Sequence, residues 1–206
     1  MHLTILGATG ATGRELVRLG LERGHTVLAL ARNPDRIIDH ASPRLSRAAA
    51  DVFEPATLAR AIDEDTVLLS GLGVAKGDRA GTLAAGATAA VAGRPQRIIW
   101  LGAIGTGTSA AAAGRLTNRM LKTVMGQEYL DKVAADTAIL DAGGTVFHAG
   151  PLSNGPVSDT RRTVSLAQVP RRLFPAGISR STVAAAILDE AENPAFPGRT
   201  AVPLTR

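Results

Sequence analysis

Short apolar runs alternate with Ala- and Leu-rich stretches along the chain. Leu3–Leu6, Thr26–Leu30, Thr66–Ser70, Arg97–Leu101 and Thr145–His148 are four or five residues long and bounded by Gly, Pro or charged residues, which predicts buried strands. Leu45–Ala50 carries a weaker strand pattern. Arg14–Arg23 reads as a helix with Leu16, Leu19 and Leu21 available to bury and Gly24 as its stop. Pro55–Ile62 opens with a proline suited to a first helical turn. Thr82–Ala92 is a small-residue helix ended by Gly93, and Leu116–Ala142 reads as helical with Gly126 as a point of interruption. Gly102–Gly114 lacks a strand pattern and predicts a mobile loop. After Gly150-Pro151 the tail predicts turns, a hairpin at Thr163–Leu166, a helix at Ser181–Glu192 and a last strand at Thr200–Leu204. Strand–helix alternation of this kind implies an α/β fold with a parallel sheet. With no internal repeat or linker, the 206 residues read as one domain, in which 151–206 shape a substrate side.

Composition narrows the function. A chain of this length buries roughly 70% of its unfolded surface and needs no metal or disulfide to fold. Cysteine is absent, which excludes disulfides, thiolate catalysis and Cys-ligated zinc. The net charge of +5 is spread out, with Arg161-Arg162 and Arg171-Arg172 as the longest basic runs. Six aromatic residues (one Trp, one Tyr, four Phe) cannot build a stacking platform for single strands. An anionic small molecule therefore fits the basic excess better than nucleic acid. Met1–Ile5 lacks a signal-peptide pattern and no apolar run reaches the ~20 residues of a membrane helix, so the expectation is a soluble, cytoplasmic protein without a membrane partner. Oligomeric state is not legible.

Gly7-Ala8-Thr9-Gly10-Ala11-Thr12-Gly13 lies directly between the first strand and the first helix. Gly7 lets the chain turn off the strand, Gly10 lets backbone approach a pyrophosphate, and Gly13 allows close helix–sheet packing. Free N–H groups at the helix start hold the phosphates, Thr9 and Thr12 add hydroxyl donors, and Ala11 belongs to the same cofactor-binding stretch. A glycine-rich connection without a ligand is the alternative. This context gives a Rossmann-type doubly wound parallel sheet flanked by helices, binding a dinucleotide. NAD binders carry an acid about 20 residues further on, at the end of strand two. Here Leu30-Ala31-Arg32-Asn33-Pro34 has none. Arg32, helped by Arg36, can pair with a 2′-phosphate, which points to NADP(H). A solvated surface Arg is the competing reading.

Ile5–Gly13 followed by Ala31–Pro34 resembles the atypical short-chain dehydrogenase/reductases, in particular the small NAD(P)H-binding proteins similar to biliverdin reductase B (flavin reductase) and to NmrA-like proteins. The resemblance spans nearly the whole chain. It implies that Asp51-Val52 contact adenine, that Gly71-Leu72-Gly73 form the loop after strand four, and that Gly102, Ala103, Pro151 and Leu152 lie at the nicotinamide side. Ile178–Ser181 resembles the motif before the final helix.

The chain departs from the wider superfamily's Tyr-x-x-x-Lys pair. Its sole tyrosine is Tyr129, with Lys132 three positions on and Val133 at the fourth. Helical spacing allows a Tyr129/Lys132 pair, but a partly buried aromatic and a solvated Lys are the more economical reading. The superfamily's strand-five Ser is replaced within Leu101-Gly102-Ala103, which speaks against carbonyl reduction of the usual kind. Among the four histidines none has metal-ligand spacing, so no metal is expected. His25 reads as an exposed turn residue. His148, at the end of strand six, either lines the nicotinamide site and donates a proton or packs as a structural histidine. Ser109–Gly114 with Met120 and Met125 can form a substrate lid or an ordinary loop over core methionines.

Three readings follow. The first is an NADPH-dependent reductase of a planar small molecule such as a flavin, quinone or biliverdin-like compound, because the cofactor supplies the hydride and the site needs only orientation and an apolar pocket. The second is a non-catalytic NADP(H)-sensing, NmrA-like regulator. The third, a nucleotide-sugar epimerase-like enzyme, usually needs a larger C-terminal part than the roughly 55 residues after Pro151.

Overall fold

A computed structural model describes residues 1–37, 42–75, 77–110, 123, 126–170 and 174–205. The strands and helices alternate as the apolar pattern predicts. β1 (His2–Leu6), α1 (Ala11–Glu22) and β2 (Thr26–Ala31) form the first unit. β3 (Leu45–Ala49), α2 (Pro55–Ala61), β4 (Val67–Ser70), α3 (Thr82–Ala92) and β5 (Arg97–Ala103) follow. Then come α4 (Gln127–Asp141), β6 (Thr145–Ala149), β7 (Leu152–Ser153), β8 (Arg162–Ser165), β9 (Ile178–Ser179), α5 (Arg180–Glu192) and β10 (Thr200–Leu204).

The main sheet has the order β3-β2-β1-β4-β5-β6-β10-β8, parallel except for β8. Its first six positions give the strand order of a dinucleotide-binding fold, with the reversal point between β1 and β4. Successive side chains point to opposite faces, so each central strand feeds two cores. Ile5, Leu69, Ile99 and Phe147 pack with Leu16 and Val17 of α1 and Val183 and Ile187 of α5. Leu6, Leu68, Trp100 and Val146 pack with Leu58 of α2, Leu83 of α3 and Ile139 of α4 on the other face. Two-sided burial is why these strands read as unbroken apolar runs.

Several expectations are corrected. α1 starts at Ala11 and not Arg14, because the helix begins inside the glycine turn with Gly10 as its N-cap. β5 continues through Gly102 and Ala103, which pair with His148 and Ala149 of β6. The predicted mobile loop is therefore strand at its start, and then a 3-10 turn at Gly107–Ser109 with Ser109 buried. Positions 111–114, Met120 and Met125 lie outside the described residues. The described helix of the Leu116–Ala142 region is α4, preceded by Gly126 at φ +51°. The predicted hairpin at Thr163–Leu166 is instead β8 paired antiparallel with β10, a partner remote in sequence. His25 is not exposed: its Nε2 lies 2.8 Å from Glu192 Oε1 of α5. No described helix is long and apolar enough to cross a membrane.

Candidate functional site

The turn after β1 is shaped by backbone contact. Gly7 adopts φ +76°, and a Cβ there would meet Leu72 Cα at 2.9 Å. A Cβ on Gly13 would lie 2.1 Å from Gly7 O, closer than any side chain can stand. α1 thus abuts the turn that precedes it, a closer approach than the helix–sheet packing predicted for Gly13. Among the described residues no side chain caps α1, and its first turn holds no acid. Its first N–H groups and positive dipole end are thereby left without side-chain partners, an arrangement that suits an anion.

A cavity opens over this turn at the carboxyl ends of β1, β2 and β4. Gly7, Thr9 and Gly10 form its floor, and Arg32 and Arg36 enter from the end of β2. Asp51, Val52 and Phe53 line it after β3, and Gly71, Leu72 and Gly73 after β4. Asp51 Oδ1 accepts the Phe53 N–H at 2.9 Å, which fixes this wall. The Arg79 guanidinium stands 4.4 Å over the Phe53 ring. Arg32 Nη2 lies 2.8 Å from Asp78 Oδ1. Ala11, Thr12 and Gly13 are not among the lining residues, and Thr12 is buried, so only Thr9 of the two threonines faces the cavity.

Phe53, Asp78 and Thr82 also line the cavity, and sequence reasoning did not single them out. Asp78 had one available signal, an acid inside the glycine-bounded segment Gly73–Gly81 that follows a strand.

Further along the same sheet edge lie Gly102 and Ala103 at the end of β5, then Pro151 and Leu152 after β6. None of these four lines the cavity at the β1–β2–β4 end. His148 is wholly buried and does not face the crevice. Its Nε2 lies 2.9 Å from Asp136 Oδ2 of α4, and its Nδ1 lies 2.6 Å from Ser109 Oγ. Ser109 Oγ also accepts the Gly105 N–H at 2.8 Å, which ties the loop after β5 to β6 and α4. Gly102 makes room for this group: a Cβ there would lie 2.7 Å from His148 Cδ2 and 2.8 Å from Asp136 Oδ1. A side chain at position 102 would therefore collide with this buried group. Tyr129, Lys132 and Asp136 share a face of α4 by helical spacing. Tyr129 is buried, and Lys132 Nζ pairs with Glu128 Oε1 at 3.3 Å. Ser109 is a packed residue and no part of an open lid. Among the described residues no group of His, Asp and Glu is arranged to hold a metal ion.

Three solved structures illustrate the likeness. A putative exported protein from Burkholderia pseudomallei matches with a TM-score of 0.78 at 24% identity, covering 98% of each chain. An anaerobillin reductase from Escherichia coli O157:H7 matches with a TM-score of 0.79 at 19% identity, covering 100% of this chain and 97% of that one. A short-chain dehydrogenase/reductase from Veillonella parvula in complex with NADP matches with a TM-score of 0.75 at 18% identity, over 98% and 93%. At these identities the likeness is one of fold. No curated protein sequence matches. The family model described as NAD(P)H-binding matches residues 7–194, which takes in the glycine turn, the cavity and both halves of the sheet edge. The chain therefore belongs to the NAD(P)H-binding family.

Proposed function

We propose that the protein is an NADPH-dependent reductase of a planar, redox-active small molecule of the flavin, quinone or biliverdin class. Arg32 carries this reading. It lines the dinucleotide cavity at the end of β2, where an NAD-preferring protein places an acid, and Arg36 lines the cavity beside it. A guanidinium there pairs with a 2′-phosphate through two parallel N–H donors.

The Gly7–Gly13 turn and the start of α1 bind the pyrophosphate, and Asp51, Val52 and Phe53 border the adenine. Gly71–Gly73 close the floor, while Gly102, Ala103, Pro151 and Leu152 flank the nicotinamide. The bound cofactor supplies the hydride. The chain contributes orientation and exclusion of water, which is what reduction of a delocalised acceptor requires. The structures of an NADP complex and of an anaerobillin reductase on this fold support the reading.

One observation favours a second reading, a non-catalytic NADP(H) sensor: the polar groups nearest the end of β5 are bonded to one another and buried. Oxidation of NADPH in the presence of FMN, quinones and biliverdin separates the two. Turnover on one of them is expected, and tight NADPH binding without turnover on any would replace the reductase with the sensor. Arg32→Ala checks the cofactor. It should weaken NADPH binding about tenfold and leave NADH nearly unchanged, the scale of one charge-assisted contact at a half-open site. Equal loss for both cofactors would remove the 2′-phosphate role.

A further inference from the structure

The end of β2 lacks an acid, but the cavity does not. Asp78 comes from the segment between β4 and α3 and lines the same cavity as Arg32. Its carboxylate is oriented before any ligand arrives. Oδ2 accepts the Ala75 N–H at 2.7 Å, and the Asp78 N–H donates to Ala75 O at 3.0 Å. Gly77, between them, adopts φ +91°, a conformation that favours glycine and lets the turn close. One oxygen is thus committed to its own turn, and the other, Oδ1, meets Arg32 Nη2 at 2.8 Å.

Burial is unequal across the pair. The Asp78 side chain is 10% exposed and the Arg32 side chain 66% exposed. The acid is lodged in the wall, and the guanidinium reaches across to it. The Ala75 N–H, and after it the Arg32 guanidinium, hold the Asp78 carboxyl below its ordinary range, against desolvation that pushes it up. Asp78 is therefore an anion at neutral pH.

The Asp78 carboxylate holds one donor of the guanidinium, Nη2, which a two-point phosphate contact would use. We propose that Asp78 is a specificity-determining residue, an internal anion that competes with the cofactor's 2′-phosphate for Arg32. A phosphate that engages the guanidinium at two points through Nη2 displaces Asp78, whereas NADH leaves the ion pair intact. The preference for NADPH is then smaller than Arg32 alone would produce. The proposal rests on the role of Arg32 given above. The rival role, an acceptor for the ribose hydroxyls like the acid of NAD-preferring proteins, predicts the opposite dependence.

The test compares dissociation constants of NADPH and NADH for the wild type, Asp78→Asn, Arg32→Ala and the double variant at one ionic strength. Asn keeps an acceptor for the Ala75 N–H, and Asp78→Ser is a second variant that can close the same turn. The expected result is NADPH tighter by about fivefold in Asp78→Asn, as for release of one half-exposed ion pair. NADH binding should not change, and Asp78→Asn should have no effect in the Arg32→Ala background. Unchanged or weaker NADPH binding in both Asp78 variants would overturn the competition, and selective loss of NADH would establish the ribose role in its place. An Arg32→Ala protein with an unaltered NADPH-to-NADH ratio would remove the phosphate reading itself. A lowered ratio there, with no gain in Asp78→Asn, would sink the competition alone.

Discussion

At the β1–β2–β4 end of the sheet edge, backbone amides and the side chains of Arg32, Arg36 and Asp51 line an open cavity. At the β5–β6 end, Ser109, Asp136 and His148 bond one another, none of them more than 3% exposed. Both ends use polar groups, but to different purposes. The first leaves backbone donors of a helix start without side-chain partners, so a ligand can satisfy them. The second commits His148, Ser109 and Asp136 Oδ2 to one another and to the Gly105 N–H, so they hold the loop after β5 in place, with Asp136 Oδ1 left unpaired among the described residues. The open end thus offers backbone donors and the Arg32 and Arg36 side chains to a ligand, while Ser109, Asp136 and His148 serve packing. The contrast favours an acceptor that takes a hydride without a dedicated protein acid.

The first test of this contrast is Asp136→Ala. It strips His148 Nε2 of its hydrogen-bond partner in a site closed to solvent, which should cost about 1–3 kcal/mol of stability in denaturant unfolding. A loss below about 1 kcal/mol would mean that the cluster is not a structural anchor. Gly10→Val attacks the other end. A Cβ at Gly10 would lie 3.2 Å from Gly7 O and 3.7 Å from Gly71 O, so the turn must give by a few tenths of an ångström, and an unchanged unfolding transition checks that the fold survives. The added methyl groups fill the space for a pyrophosphate, and NADPH affinity should fall by about a hundredfold or more, as for loss of several charge-assisted bonds. Retained affinity in calorimetry would put the pyrophosphate elsewhere. Gly102→Ser puts a hydroxyl at the end of β5, where the buried cluster stands. Crowding against His148 and Asp136 should cost about 1–3 kcal/mol without raising reductase activity. A stable variant with higher turnover would show that the β5 end can host catalytic side chains after all.

Much of this was legible along the chain, because it depends on local sequence. The apolar runs of β1, β2, β4, β5 and β6 report burial on both faces of a parallel sheet. Gly93 marks the end of α3 because it closes the last helical turn. The Gly7–Gly13 turn is legible because its glycine spacing follows a strand-to-helix turn in which Gly13 stands against Gly7 and Ala8, although Gly7 also meets Leu72 from the distant loop after β4. Arg32 is legible because a fixed spacing links the glycine turn to the end of β2.

Tertiary structure alone decided the rest. Burial of His148 depends on Asp136 from α4 and Ser109 from a 3-10 turn, and no local pattern joins those three positions. β8 appeared as half of a hairpin because its partner, β10, lies far along the chain, and hydrogen-bonding partners in a sheet are chosen in space. The same holds at the cavity. The sequence shows Arg32 without its acid, and only the fold brings Asp78 from the β4–α3 segment to within 2.8 Å of it. Steric rules within a turn act over a few residues and leave a mark in the sequence, whereas charge pairing acts across space and becomes visible only when the chain has closed on itself.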